Sequence, residues 1–197
     1  ATRTLTGQQV AERICQASAL AQVDPYRAVT HNKGIMNGID AVVLAMGNDW
    51  RSVESGAHAY TSRSGQYPGL SRWWLEDGQL HGELTLPLAL GVVGGATRVL
   101  PLVRVNQQLA QITTARQLMG LTAAVGLAQN VAALRALVSD GIQRGHMALQ
   151  RKSLALSVGA TPAEVPAVLD RLKTITQPTT TQAQAALAAI RQENLKK

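Results

Sequence analysis

Apolar residues return every three or four positions along most of this chain, and that spacing restricts it to a largely helical fold. One series predicts a helix over residues 6–21 and consists of Val10, Ile14, Ala17 and Leu20. The same period predicts further helices over residues 101–110, 113–138 and 182–194, with a candidate break at Gly126. The chain is 46% hydrophobic and has no Phe, so the predicted core consists of Leu, Val, Ala and Ile.

Residues typical of helix starts and helix ends separate the predicted helices. Asp24 followed by Pro25 is typical of a helix start, with Asp as the N-cap and Pro in the first turn. Gly47 predicts a helix end. Thr161 and Glu164 form a capping-box pattern ahead of a helix that should reach about residue 174.

One stretch departs from the helical period and indicates strands. Residues 73–80 hold an Asp-Gly pair between two apolar runs, which is the signal for a tight hairpin. The second strand is predicted to continue to residue 88. The chain is therefore predicted to be α+β and predominantly helical, with one unit over residues 1–140 and a small three-helix unit over residues 141–197.

Residues 91–97 are glycine-rich but do not predict a phosphate-binding loop. They lack the lysine of a Walker motif and the G-x-G-x-x-G spacing of a dinucleotide fingerprint. They instead indicate a close backbone approach between packed elements.

Lys33 is the first candidate catalytic residue. It is followed by Gly34 and Gly38 and is predicted to lie in a loop ahead of an apolar run over residues 39–46. A partly buried lysine can donate a proton or stabilise a developing oxyanion. A solvated lysine without a catalytic role is the alternative.

Four other polar residues have both a functional and a structural interpretation. His146 precedes a predicted helix over residues 147–158, where an imidazole could act as a general acid near neutral pH. Arg27 could bind a carboxylate or a phosphate. Asp49 could cap the next helix or pair with a lysine. Gln129, on an apolar helix, could satisfy a backbone group or face a ligand.

Composition limits the kinds of binding partner and the cellular compartment that are expected. The formal net charge of +7 suggests an anionic partner, either a nucleic acid or a phosphate-bearing cofactor. Cys15 is the single cysteine, so no disulfide within the chain is possible and a cytoplasmic location is expected. No secretory signal, membrane span or metal site is predicted.

Three stretches together resemble one enzyme family. Residues 24–40 (DPYRAVTHNKGIMNGID), with Gly-Asn-Asp at 47–49, are similar to the soluble bacterial class of 3-hydroxy-3-methylglutaryl-coenzyme A (HMG-CoA) reductase. Residues 91–97 resemble that family's glycine signature, and residues 136–147 resemble its histidine signature. The order and spacing of the stretches also fit, over nearly the whole chain.

The resemblance implies a role for each candidate. Lys33 would stabilise the oxyanion and supply a proton, and Asp49 would tune that lysine. His146, on a mobile C-terminal flap, would protonate the departing coenzyme A thiolate. The family reduces the thioester to mevalonate with two hydrides from NADH or NADPH, and basic residues near His146 fit a coenzyme A phosphate. The hydroxymethylglutaryl group would be held by Arg27, Asn37 and Gln129.

The resemblance also implies that more chain is needed for activity. The family's catalytic glutamate and nicotinamide-binding domain lie upstream of these motifs, so no cofactor-binding residue is assigned and the isolated chain is expected to be inactive. Residues 1–140 would be the second part of the large substrate-binding and dimerisation domain, and residues 141–197 the flap. Gln150 stands where some relatives carry a second histidine, which bears on recognition of the thiol side.

The spacing of Lys33 and Asp49 sets a geometric condition. One straight helix over residues 34–46 would separate them by roughly 20 Å, at 1.5 Å per residue. They can meet only if the helix doubles back near Gly38 or if Asp49 comes from a second copy of the chain. The second alternative is favoured and predicts a homodimer with its active site at a two-fold interface.

Two other classes of function stay open from the sequence. A basic helical nucleic-acid-binding module accounts for the charge, but its Arg and Lys residues are scattered and no aromatic residues interleave them. A helical scaffold without catalytic activity would not explain the sequence contexts of Lys33, Asp49 and His146. HMG-CoA is therefore the predicted partner, without nucleic acid or membrane.

Overall fold

The computed structural model describes residues 5–139, 141–175 and 177–194, with the side chains of residues 96, 142–148 and 194 outside that description. The chain divides between Ser139 and Asp140 into two compact units. Each unit has its own cluster of buried apolar residues.

The first unit is mostly helical and contains a β-hairpin. Its elements are α1 (Gly7–Val23), α2 (Pro25–Ala45), α3 (Trp50–Thr61), β1 (Ser71–Glu76), β2 (Gln79–Leu84), α4 (Ala96–Val99), α5 (Pro101–Leu109) and α6 (Ala115–Val138). The predominantly helical α+β fold predicted from the sequence is confirmed.

Helix α2 is longer than the sequence predicted. The Asp24 carboxylate accepts hydrogen bonds from two N–H groups of the first turn, so the helix begins as predicted. It then continues without a break to Ala45, and Lys33 lies in its middle. The predicted loop at Lys33 was therefore wrong, and so was the alternative of a helix that doubles back at Gly38.

Glycines allow α2 and α6 to pack closely. Gly38 of α2 lies against Gln129, and a Cβ atom built at Gly126 of α6 would lie 2.8 Å from Cγ1 of Ile39. Each helix therefore needs a glycine where the other crosses it. Helix α6 runs unbroken through Gly126, so the candidate break there was wrong. The buried apolar residues around the crossing include Ile35, Met36, Ile39, Val43 and Leu118.

Helix α6 is also, by length and composition alone, long and apolar enough to cross a membrane, with a mean hydropathy of 1.4. No membrane span was predicted from the sequence. Its Leu118, Gly126 and Leu134 are buried within the first unit, so α6 has one buried face there.

The hairpin forms around the predicted turn. Asp77 and Gly78 both have positive φ, 50° and 74°, as a two-residue hairpin loop of this kind requires. Strand β2 ends at Leu84 rather than at residue 88 as predicted. Pro87 has no N–H with which to extend the pairing.

Residues 91–97 pack against the end of α2, in line with the close approach predicted there. The Asn48 side chain donates to the carbonyl of Gly91 at 3.0 Å and accepts from its N–H at 2.8 Å. This pair of hydrogen bonds fixes the stretch that leads into α4.

The second unit consists of α7 (Ile142–Ser157), α8 (Val165–Leu172) and α9 (Thr180–Asn194). Helix α7 begins at Ile142, ahead of the predicted start, so His146 lies inside it. Helix α8 begins later than predicted, although the Glu164 carboxylate accepts the Thr161 N–H at 2.8 Å. The core of the unit includes Ala155, Val165, Val168, Leu172, Ala183, Leu187 and Ile190.

Candidate active site

Helix α2 carries three of the predicted site residues. Lys33 and Asn37 are exposed and lie four residues apart, so they share one face of the helix. Arg27 is half-buried, and its Nη1 donates to Oγ1 of Thr30 at 3.1 Å. Burial lowers the pKa of Arg27 from its usual value, but a guanidinium stays charged at neutral pH.

A groove of about 590 Å³ lies between α2, α5 and α6. Asn37 of α2 and Gln129 of α6 both line it, so the fold brings these two predicted site residues together. The groove is shallow and open to solvent, with a few polar groups beside an apolar lining, so it can bind part of a larger ligand. The apolar lining includes Ala41, Val42, Met46, Leu109, Leu121 and Val125.

Lys33 and Asp49 do not meet within one chain. The unbroken second half of α2 lies between them and separates them by roughly 20 Å at 1.5 Å per residue. Asp49 is the N-cap of α3, and its Oδ1 accepts from the N–H groups of Arg51 at 3.0 Å and Ser52 at 3.4 Å. The capping role considered from the sequence is thus confirmed.

The pKa of Asp49 follows from this cap. Desolvation alone would raise the pKa of Asp49, but the N–H groups of Ser52 and Arg51 and the Arg51 side chain together outweigh it and hold the pKa below its usual value. Asp49 is therefore an exposed carboxylate at neutral pH.

His146 lies within α7, and its side chain is outside the described part of the chain. The same holds for Arg144. The general-acid role of His146 and the contact of neighbouring basic residues with a coenzyme A phosphate therefore stay predictions.

A buried polar cluster ties α2 to the hairpin and to α6. Nε2 of His31 lies 2.7 Å from Oγ of Ser71, and this hydroxyl lies 2.8 Å from Oδ1 of Asn130. The indole N–H of Trp73 donates to the same Oδ1 at 2.6 Å. Burial, helped by the charge of Arg27, lowers the pKa of His31 to about 4, so the imidazole is neutral at physiological pH.

Sequence reasoning missed this cluster, although one signal was present. Asn130 falls in the series of residues four apart that forms the buried face of α6: Leu118, Thr122, Gly126, Asn130 and Leu134. A polar side chain in such a series needs a buried partner. Its partners Ser71 and His31 are 59 and 99 residues away in the sequence, so periodicity could not identify them.

Comparison with known proteins identifies the family. The family model of hydroxymethylglutaryl-coenzyme A reductase matches residues 1–151, which include all six predicted site residues. The chain belongs to the HMG-CoA reductase family. This family assignment is favoured over the two alternatives left open by the sequence, a nucleic-acid-binding module and a helical scaffold.

Relatives of the HMG-CoA reductase family agree with this assignment. The chain is 48% identical over 164 residues to the 3-hydroxy-3-methylglutaryl-coenzyme A reductase of Archaeoglobus fulgidus, which covers 83% of this chain and 38% of the relative. It is 41% identical over 140 residues to the probable reductase of Borreliella burgdorferi, which covers 71% of this chain and 32% of the relative.

A solved structure gives the same result. The class II reductase of Streptococcus pneumoniae, described as bound to NADPH in open conformations, is 50% identical with a TM-score of 0.67, over 94% of this chain and 45% of that one. The chain thus spans less than half the length of the reductases that it matches.

A second cluster of polar residues in the first unit contains none of the predicted site residues. Oδ1 of Asp40 is buried and has no hydrogen-bond partner among the described residues. Desolvation and then neighbouring Glu54 raise the pKa of Asp40 to about 6, while His58 opposes the shift. Glu54 lies 2.7 Å from Nε2 of His58, whose Nδ1 lies 2.7 Å from the hydroxyl of Tyr67.

Proposed function

We propose that the full-length protein is an HMG-CoA reductase, which interconverts HMG-CoA with mevalonate and free coenzyme A. NADH or NADPH supplies the two hydrides of the reaction. The observation that carries this proposal is the arrangement of exposed Lys33 and Asn37 and half-buried Arg27 on α2, beside a groove shared with Gln129, in a chain of this family.

Lys33 stabilises and neutralises the negative charge that forms on the substrate oxygen. Reduction of the thioester carbonyl places this charge on its oxygen, where the ammonium group is attractive and can give a proton. When the C–S bond then breaks, the hydroxyl group of the intermediate returns its proton to Lys33 and becomes the carbonyl of an aldehyde, and the departing thiolate takes a proton from His146. After the second reduction, a proton from Lys33 converts the alkoxide to the alcohol of mevalonate.

Arg27, Asn37 and Gln129 bind the hydroxymethylglutaryl group. The planar guanidinium fork of Arg27 matches a carboxylate, and its half-buried position strengthens that attraction relative to a fully solvated pair. The amides of Asn37 and Gln129 line the groove and bind oxygen atoms of the same group.

A second copy of the chain completes the site. The resemblance assigns both Lys33 and Asp49 to the chemistry, yet α2 holds them roughly 20 Å apart within one chain. Both side chains are exposed, so Asp49 of a second copy can reach Lys33 across a two-fold axis. Helix α5 leaves Leu102 and Leu109 74% and 78% exposed, and such an apolar surface favours burial against another subunit.

The glycine-rich stretch at residues 91–97 does not fit a dinucleotide phosphate. Residues 91–97 pack against Asn48 and lead into the four-residue helix α4, which is too short to present a helix N-terminus to a dinucleotide phosphate. We therefore assign cofactor binding to other parts of the full-length protein. We also propose a cytoplasmic location, where the single cysteine, Cys15, would stay reduced.

Turnover by the full-length protein tests the proposal. The full-length protein is incubated with HMG-CoA and either NADPH or NADH, and the mevalonate formed is measured by mass spectrometry. Lys33→Ala should lower kcat by about a hundredfold or more without loss of folding, because the oxyanion loses its cationic partner. The control Lys173→Ala removes another exposed lysine and should leave kcat unchanged. Absence of mevalonate from the unmodified protein, or normal kcat in Lys33→Ala, would contradict the proposal.

A further inference from the structure

The buried cluster around His31 has one arrangement of protons that satisfies its short hydrogen bonds. The Trp73 indole N–H can only donate, so the Asn130 atom that it meets at 2.6 Å is the amide oxygen. The Ser71 hydroxyl lies 2.8 Å from that oxygen and must donate to it. Ser71 Oγ is then the acceptor for His31 at 2.7 Å, so Nε2 carries the imidazole proton.

The other imidazole nitrogen consequently carries a lone pair. Nδ1 of His31 is buried and has no hydrogen-bond partner among the described residues. The amide nitrogen of Asn130 lies 3.4 Å from Nε2, and this longer contact is non-bonded in the arrangement. The hydrogen bonds therefore run in one direction, from His31 through Ser71 to Asn130.

This relay joins the two helices that carry the proposed substrate-binding groups. His31 precedes Lys33 by two residues on α2, and Asn130 follows Gln129 directly on α6. His31, Ser71 and Asn130 are each no more than 2% exposed. Rotation of α2 about its axis would break the His31–Ser71 bond and leave buried polar groups unpaired, which is costly.

We propose that His31, Ser71 and Asn130 are positioning residues whose relay sets the rotation of α2 against α6 and thereby places Asn37 and Gln129 at the same groove. This role rests on the proposed function, because it concerns binding of the hydroxymethylglutaryl group. The three residues touch no substrate and transfer no proton in the reaction.

A cluster that only stabilised the fold would behave differently. Its loss would lower the melting temperature and the yield of folded protein, without changing the KM of the molecules that stay folded. Loss of a positioning cluster raises the KM for HMG-CoA, because displaced amides weaken substrate binding.

Variants of the full-length protein separate the two roles. His31→Leu and Ser71→Ala should raise the KM for HMG-CoA about tenfold and change kcat less than about threefold. In His31→Gln an amide N–H can replace Nε2–H, so KM should stay close to that of the unmodified protein. The control Thr122→Val removes a buried hydroxyl of α6 that donates to Leu118 of the same helix, and its KM should not change.

The tautomer of His31 is a test that does not depend on activity. Nitrogen-15 NMR of the histidine-labelled protein at neutral pH should show a protonated Nε2 and an unprotonated Nδ1. The opposite tautomer, or a normal KM in folded His31→Leu, overturns the inference. If the unmodified protein does not turn over HMG-CoA, the proposed function and this role fall together, and the tautomer still decides whether the relay exists.

Discussion

Gly38 of α2 lies so close to Gln129 of α6 that a Cβ atom built at Gly38 would be 2.9 Å from the Gln129 Cβ. The same atom would lie 3.2 Å from the carbonyl oxygen of Val125. Neither neighbour is the free end of a flexible side chain, so neither can move aside without a shift of the helix. The position of Gln129 at the groove therefore depends on the absence of a side chain at residue 38.

Gly38→Ala should destabilise the protein and weaken substrate binding. An overpacked core typically costs about 1–3 kcal/mol, which exceeds the ~1 kcal/mol that Ala gains over Gly as a helix former. The free energy of unfolding, measured in urea, should fall, and the KM for HMG-CoA should rise as Gln129 is displaced.

Gly34→Ala is the matched control on the same helix. A Cβ atom at Gly34 would meet only Cβ of Ala133, at an ordinary 3.8 Å. This variant should keep its KM and gain up to about 1 kcal/mol of stability from helix propensity. Equal stability of the two alanine variants would refute the close packing at Gly38.

Asp40 should make stability depend on pH in a mildly acidic range. Its folded-state pKa of about 6 lies above the ordinary value of 3.8, so the folded protein keeps a proton that the unfolded chain releases between these values. The contribution of Asp40 to stability therefore falls as the pH rises through this window. Asp40→Asn cannot ionise, so it should flatten the pH dependence of the unfolding free energy there and be more stable than the unmodified protein above pH 6.

The control for this prediction is Asp170→Asn, at an exposed position of α8. It should leave the slope of stability against pH as it is in the unmodified protein. An unchanged slope in Asp40→Asn as well would show that Asp40 is not protonated in the folded state.

Glu164 should stabilise the second unit only while it is ionised. Arg191 donates to its carboxylate at 2.8 and 3.1 Å, and these bonds, followed by those from Thr161, lower the pKa of Glu164 to about 2. Because the folded-state pKa is lowered, this stabilisation is present above the ordinary value of 4.5 and is lost as the pH falls toward 2. Glu164→Gln should therefore lower Tm at neutral pH, and the difference should shrink in acid.

Glu193→Gln is the comparison for Glu164→Gln. Glu193 pairs with Arg171 but is 61% exposed, so Glu193→Gln should lower Tm at neutral pH by less than Glu164→Gln does. A Tm for Glu164→Gln equal to that of the unmodified protein at neutral pH would contradict the assignment.

The sequence predicted local elements well at positions where the residue type strongly favours one conformation. Asp24 before Pro25 marked the start of α2, and the Asp77-Gly78 pair marked the hairpin, because caps and positive-φ turns admit few residues. It failed around Gly34 and Gly38, because α2 continues through both glycines, and Gly38 serves helix packing instead of a loop. Tertiary contacts with α6 outweigh the low helix propensity of glycine there.

The sequence likewise predicted some residues around the candidate site and missed others. Lys33, Asn37 and Arg27 could be predicted from the sequence because they fall in one short motif on α2. The His31 relay was missed because Ser71 and Asn130 join it from distant parts of the chain. Sequence spacing can show that a buried polar residue needs a partner, but only the fold shows which residue that is.

Mixing two inactive subunits tests the central claim, that Lys33 acts with Asp49 of a second copy. Lys33→Ala and Asp49→Asn are each expected to be inactive, and the asparagine at 49 can still cap α3. Half of randomly assorted dimers contain one chain of each kind, and one of their two sites is intact. Co-expression of the full-length variants should therefore restore about one quarter of the activity of the unmodified protein. No recovery of activity in mixed dimers would contradict the shared site.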